Sequence, residues 1–378
     1  MVTIGQPVSV PVITNAVQVG DGTPGVLAPA VEVSEREREA MVAALARFSF
    51  PRGLATELAA STEVFPVRFF VLDNSGSMSM GDGNRIVVDG AGKRRAVTAT
   101  RWEELIDSAS TIAELSETLG ARTDFHLLNR SGRFSKFLTV GGDSSAASFV
   151  PCSGEKVSAS MLRQRIQQVT PNGGTPLTES VMAIVSMLEP VAHQMRARGQ
   201  QAVVTLMTDG KPNDPRSFAA ALQALQALPV WLVVRLCTDD DAVVSYWDEL
   251  DQSLETGLEV LDDDAGEAAE VTGKNRWLTY GAPLHAARTF GLSNKLFDLL
   301  DEATLLPSQA KLFVELLLGC ELPEPEIEPQ AFDDALRAAL ASASPVYDPL
   351  RKCERAWVDV KQLARSMRKT SSSGCSLM

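Results

Sequence analysis

The chain has 378 residues, a formal net charge of −13 and a pI near 4.9, and 45% of it is hydrophobic, enough to bury one large domain with additions or two domains. An acidic body of this kind repels phosphates, so no nucleic-acid partner is expected. No apolar run is long enough to span a bilayer, residues 1–6 lack the order of a secretory signal, and five scattered cysteines make no disulfide framework; the expected compartment is the cytoplasm.

Residues 1–33 are rich in Val, Pro, Gly and Thr without helical period and read as a flexible arm. Residues 34–62 read as a helical hairpin, opened by a Ser34/Glu37 capping box and turned at Phe50-Pro51-Arg52-Gly53. The run 66–72 is a compact β-branched and aromatic strand, buried on both faces. Residues 84–98 read as a β-hairpin with a Gly-rich turn, inserted before a helix that Thr100 and Glu103 cap. Its basic residues Lys93, Arg94 and Arg95 are candidates for touching a partner, with a decorative role as the alternative.

Further strands are predicted at 123–128, 136–140, 202–207, 229–236 and 257–261, with helices at 101–119, 158–168, 178–197, 215–227 and 241–254. Such alternation implies an α/β fold, doubly wound around a mostly parallel sheet. The 136–140 strand follows its predecessor after a short turn, so it is expected as an antiparallel edge strand. The triplets Asp239–Asp241 and Asp262–Asp264 precede helices and read as caps. Past residue 273 only helical patterns continue, at 292–303, 307–318, 329–342 and 351–368, making 273–369 a helical region and 370–378 a flexible tail.

The strongest chemical signal is Asp73-Asn74-Ser75-Gly76-Ser77, directly after the first strand. In an open α/β sheet, ligands bind beyond the carboxyl ends of the strands. Gly173-Gly174-Thr175-Pro176-Leu177 adds a hydroxyl before a helix, and Thr208-Asp209-Gly210 adds a second carboxylate after a strand. All are hard oxygen donors, suited to Mg²⁺ or Mn²⁺.

D-x-S-x-S, then G-G-T-P-L, then T-D-G, each at its strand end and in this order, resembles the metal-ion-dependent adhesion site of the von Willebrand factor A family, over residues 64–272. The resemblance implies a doubly wound fold with extensions at both ends. It implies Ser75, Ser77 and Thr175 as direct metal ligands, and Asp73 and Asp209 as ligands binding directly or through water. It leaves one coordination position for an Asp or Glu of a protein partner, with Asn74 and Gly174 on the rim. The inserted hairpin departs from the family pattern and bears on how open the metal would be.

The last four residues, Cys375-Ser376-Leu377-Met378, match a C-a-a-X signal whose final Met favours farnesyl. Residues 346–378 carry seven basic and three acidic side chains, 7 − 3 = +4, which would reinforce a lipid anchor at a cytoplasmic membrane face. The leading expectation is a non-enzymatic binding module, since no general base accompanies the metal motif. The alternatives are a Mg²⁺-assisted hydrolase and a metal-independent scaffold acting through its helical region. Partner identity and oligomeric state are not legible in the residues.

Overall fold

The computed structural model describes residues 33–374 apart from 91–93, 133–136, 143–148, 152–153, 239 and 255–257. The expectations for the arm, for Lys93 and for Cys375 therefore lie outside the described residues.

The central strand β1 (Val67–Leu72) is buried along its whole length, including Arg68 among its five apolar residues. The inserted hairpin is formed by β2 (Gly83–Val88) and β3 (Arg94–Ala99), paired antiparallel. The remaining sheet strands are β4 (Arg122–Leu127), β5 (Phe137–Val140), β6 (Glu155–Lys156), β7 (Ala202–Thr208), β8 (Val230–Leu236) and β9 (Glu259–Leu261). Their order is β6-β5-β4-β1-β7-β8-β9, and every pairing is parallel except that of β4 with β5. The fold is thus a doubly wound α/β sheet with one antiparallel strand. The two-residue β6 lies outside β5.

Alternate residues of β1 serve two cores. Phe70 and Leu72 face a layer containing α1 (Glu35–Leu45), α2 (Arg52–Val64), α3 (Arg101–Thr118) and α4 (Ala159–Ile166). Val67, Phe69 and Val71 face α5 (Leu177–Leu188), α6 (Ala192–Ala197), α7 (Pro215–Gln226) and α8 (Asp241–Ser253). One helix expected over 178–197 is divided into α5 and α6 by a 3-10 turn at Glu189–Val191, where Pro190 cannot donate to the helical ladder.

The chain continues through α9 (Asp264–Lys274), α10 (Ala282–Thr289), α11 (Lys295–Glu302), α12 (Pro307–Leu318) and α13 (Pro329–Ser342). A small hairpin of β10 (Val346–Asp348) and β11 (Cys353–Arg355) then precedes α14 (Val360–Gly374). The helix expected from residue 351 therefore starts later. Asp348 turns the chain by accepting the Leu350 and Arg351 N–H groups, and three-residue strands are too short to show alternation. α14 in turn runs on through the Ser-rich stretch before Cys375.

Trp277, Phe290, Phe313, Trp357 and Leu363 share the first core with α2 and β1, so the C-terminal helices pack on the same sheet face as the N-terminal pair. The closest approach is glycine on glycine. A Cβ on Gly53 would overlap the backbone of Leu316 and of Gly319, which ends α12 in the left-handed region at φ 69°. Gly53→Ala is expected to destabilise the chain by about 1–3 kcal/mol through overpacking, read as a lowered urea midpoint at unchanged slope.

Candidate metal site

The chain leaves β1 toward β4 on one side and leaves β7 toward β8 on the other, so the sheet has its switch point between β1 and β7. Asp73 follows β1 and Asp209 follows β7, at the place where such sheets bind ligands. The loop is joined to β7 from its start, where the Asp73 N–H donates to the Met207 carbonyl at 2.9 Å.

Asp73 is fully buried and both its oxygens are engaged. Oδ1 accepts the Ser75 N–H at 2.8 Å, and Oδ2 accepts the Thr208 hydroxyl at 2.6 Å. Burial pushes its pKa up, opposed by these hydrogen bonds. The Ser75 and Ser77 hydroxyls lie 3.0 Å apart, and Ser77 Oγ donates to Asp209 Oδ1 at 2.9 Å. Neighbouring oxygens at right angles around Mg²⁺, each about 2.1 Å from it, are about 3.0 Å apart. The donor set and its spacing therefore fit a small hard cation.

The third loop is held by its backbone. Gly173, at φ 77°, accepts the Gly76 N–H at 3.0 Å, and the Asn172 N–H donates to the Asn74 carbonyl at 2.8 Å. The Thr175 N–H donates to Asn213 Oδ1 at 2.8 Å, while the Thr175 carbonyl accepts the Asn213 N–H at 3.1 Å. Its hydroxyl points toward Gly210, where an added Cβ would lie 3.7 Å from Oγ1. Asp73, Ser75, Ser77 and Asp209 are thus joined by hydrogen bonds beyond the strand ends, and the Thr175 hydroxyl lies beside Gly210, next to Asp209.

The residues considered for partner contact divide differently. Asn74 is fully buried, and its amide exchanges two bonds with the Asn129 backbone, at 3.0 and 2.8 Å, so it positions the loops. Asn129 also donates to the Gly174 carbonyl at 2.8 Å, and Gly174 itself is exposed. Arg94 turns to Glu354 at 3.5 Å and Ser49 at 3.4 Å, while Arg95 is exposed. The hairpin lies along α3, where Arg85 grips Asp107 at 2.6 Å. Asp240 and Asp263 cap α8 and α9 through their carboxylates.

Sequence reasoning missed Arg101. It opens α3 directly behind the Thr100 cap and grips Asp82 with two bonds, at 2.7 and 2.6 Å. Its Nη1 reaches Asp209 Oδ2 at 2.9 Å. Asp82 is the main cause that raises its pKa and keeps it charged. Asp73, Asp82 and Asp209 against one guanidinium leave this group at −3 + 1 = −2. No local signal announces this arginine, because its partner is 108 residues away.

Among the described residues, no helix is long and apolar enough to cross a membrane. Cys237 is buried beside Arg235, and burial pushes its thiol up to about 12, as suits a core residue.

No family model and no curated protein matches the chain. Among solved structures, proximal thread matrix protein 1 of the mussel byssus is similar at 17% identity and a TM-score of 0.29, over 53% of this chain and 43% of that one. The manganese-loaded TRAP protein of Plasmodium vivax is similar at 13% identity and a TM-score of 0.32, over 54% of this chain and 71% of that one. The chain therefore spans less than half the length of the mussel protein.

Thr208→Val keeps the shape of the side chain but leaves a buried Asp73 oxygen without its donor. It is expected to destabilise the fold by about 1–3 kcal/mol, checked by denaturant unfolding.

Proposed function

We propose that this chain is a von Willebrand factor A-type binding module whose site holds Mg²⁺ or Mn²⁺ and grips an Asp or Glu of a protein partner. The reading is carried by one observation: the hydroxyls of Ser75 and Ser77 stand 3.0 Å apart, the spacing of adjacent ligands on a small hard ion, and Ser77 in turn donates to the Asp209 carboxylate at 2.9 Å. Bound there, a divalent cation supplies a Lewis-acidic point charge for the partner's carboxylate.

The chain's own residues divide the work. Ser75, Ser77 and Thr175 are neutral donors that would hold the ion directly. Asp73 and Asp209 already accept hydrogen bonds on both oxygens, which favours a role through water. Arg101 neutralises part of the anionic charge, so a bound divalent cation would keep more of its pull on an incoming carboxylate. Ser77 and Gly174 are exposed, which leaves the rim reachable.

Calorimetric titration with Mg²⁺ tests this. Asp73→Ala is expected to abolish the heat of binding, and equal heats for wild type and variant would sink the metal reading. Arg101→Met removes a neighbouring positive charge and is expected to tighten Mg²⁺ about tenfold, or about 1.4 kcal/mol. Partners captured in Mg²⁺ should elute with a chelator; capture that survives chelation would favour a scaffold acting through the helices of 277–342.

The proposal includes a farnesyl anchor on Cys375. α14 supports it by burying Val360, Leu363 and Met367 while exposing Lys361, Arg365 and Arg368 along one face. A lipid chain alone binds membranes weakly, and a basic face supplies the second attraction. Farnesylated protein is expected to float with phosphatidylserine vesicles and to release as salt rises. A Cys375→Ser chain that floats equally well would remove the anchor.

A further inference from the structure

A cavity of about 540 Å³ opens at the other end of the sheet, between the first residues of β8 and β9 and the helices α8, α9 and α11. Seven carboxylates and one guanidinium line it. That guanidinium, Arg288, is buried and takes one oxygen from each of three acids: Glu259 at 2.7 Å, Asp301 at 3.0 Å, and Glu267. One cation cannot balance so many anions. Burial is the first cause that raises the pKa values of Glu270 and Asp298, and the neighbouring Asp301 raises both further.

Two observations set this cluster apart from an ordinary acidic surface. Carboxylate oxygens of Glu267, Glu270 and Asp301 all lie within 4.8 Å of one another. Three oxygens within that limit share a centre at most about 2.8 Å from each, so an ion with ligands at about 2.3–2.6 Å, such as Ca²⁺, reaches all three with a closing of a few tenths of an ångström at most. Independently, Glu259 Oε2 has no hydrogen-bond partner although its side chain is only 4% exposed, and the Trp231 indole N–H is likewise buried without one. Both residues line the cavity. Buried polar atoms left unsatisfied in a native protein point to an absent water or ion.

We infer that a second divalent-cation site lies beside this cavity, where its lining residues Glu270 and Asp301 meet the buried Glu267, with these three as carboxylate ligands and a hard ion such as Ca²⁺ as its occupant. The cluster contains no Cys or His, which excludes a preference for soft metals. Three protein ligands leave room for waters, and Glu259 and Trp231, whose unpartnered atoms call for such waters, line the same cavity as Glu270 and Asp301. The inference does not depend on the site at Asp73 and Asp209. That site follows the carboxyl ends of β1 and β7, whereas Glu259 begins β9 and Trp231 is the second residue of β8.

The test uses the full chain as wild type, Asp73→Ala, Glu270→Gln and Trp231→Phe. Calcium stoichiometry is measured by equilibrium dialysis, and tryptophan-sensitised terbium emission reports a lanthanide stand-in near Trp231. Asp73→Ala is expected to retain one calcium per chain and the full emission. Glu270→Gln, at an exposed position that leaves the fold's circular dichroism unchanged, is expected to weaken calcium at least tenfold. Trp231→Phe should keep the ion and lose most of the emission. Unchanged calcium affinity in Glu270→Gln would overturn the inference, as would an Asp73→Ala chain that binds no calcium. Selective occupation by spermidine in place of calcium would overturn it too. Loss of the Mg²⁺ heat by Asp73→Ala speaks only to the first site.

Discussion

The parallel pairing of β1 between β4 and β7 governs the rest of this structure. Leu72 stands opposite Leu127 on one side and Met207 on the other, so the chain leaves three neighbouring strands at the same level. Asp73 and Thr208 then face each other across the strand ends, 2.6 Å apart from carboxylate to hydroxyl. A register slip of one residue would turn every β1 side chain to the opposite core and separate these groups. The loops after β1 and β7 hold their places because Arg68, bonded to the Phe65 and Phe290 carbonyls and to Ser61, allows β1 one register.

Buried arginines join this sheet to the layers around it. Arg68, inside β1, bonds the Phe65 and Phe290 carbonyls and the Ser61 hydroxyl, tying the strand to α2 and to the end of α10. Burial without a carboxylate lowers its pKa to about 9. Arg235 reaches Glu104 on α3 at 2.7 Å, and Arg288 gathers acids from β9, α9 and α11. A buried charge is tolerated only where its partners are in place, so these contacts fix which helices lie against the sheet as much as they stabilise it.

The two acidic centres differ in electrostatic character. At the carboxyl ends of the strands, Arg101 lies between Asp82 and Asp209, and exposed Ser77 and Gly174 open the site outward. At the amino end of β9, one fully buried guanidinium stands among seven lining carboxylates, some buried and some exposed. The first arrangement suits a cation that must bind something further. The second suits a cation that is simply held, where it would brace the C-terminal helices against the sheet edge.

Much of this was readable in the residues. The apolar run of β1, the alternation of strands and helices, and the caps at Ser34, Thr100, Asp240 and Asp263 depend on neighbours within a turn or two. The loops at 73–77, 173–177 and 208–210 could be placed because each follows a recognisable strand or precedes a recognisable helix. The sequence by itself therefore determined the fold class and which loops meet. Tertiary structure alone decided that Arg101 reaches Asp209, that Asn74 braces Asn129, and that Glu267, Glu270 and Asp301 converge beside a partnerless Glu259 oxygen. These are contacts across tens of residues or more, set by register and helix packing, and such distances leave no periodicity in a linear chain.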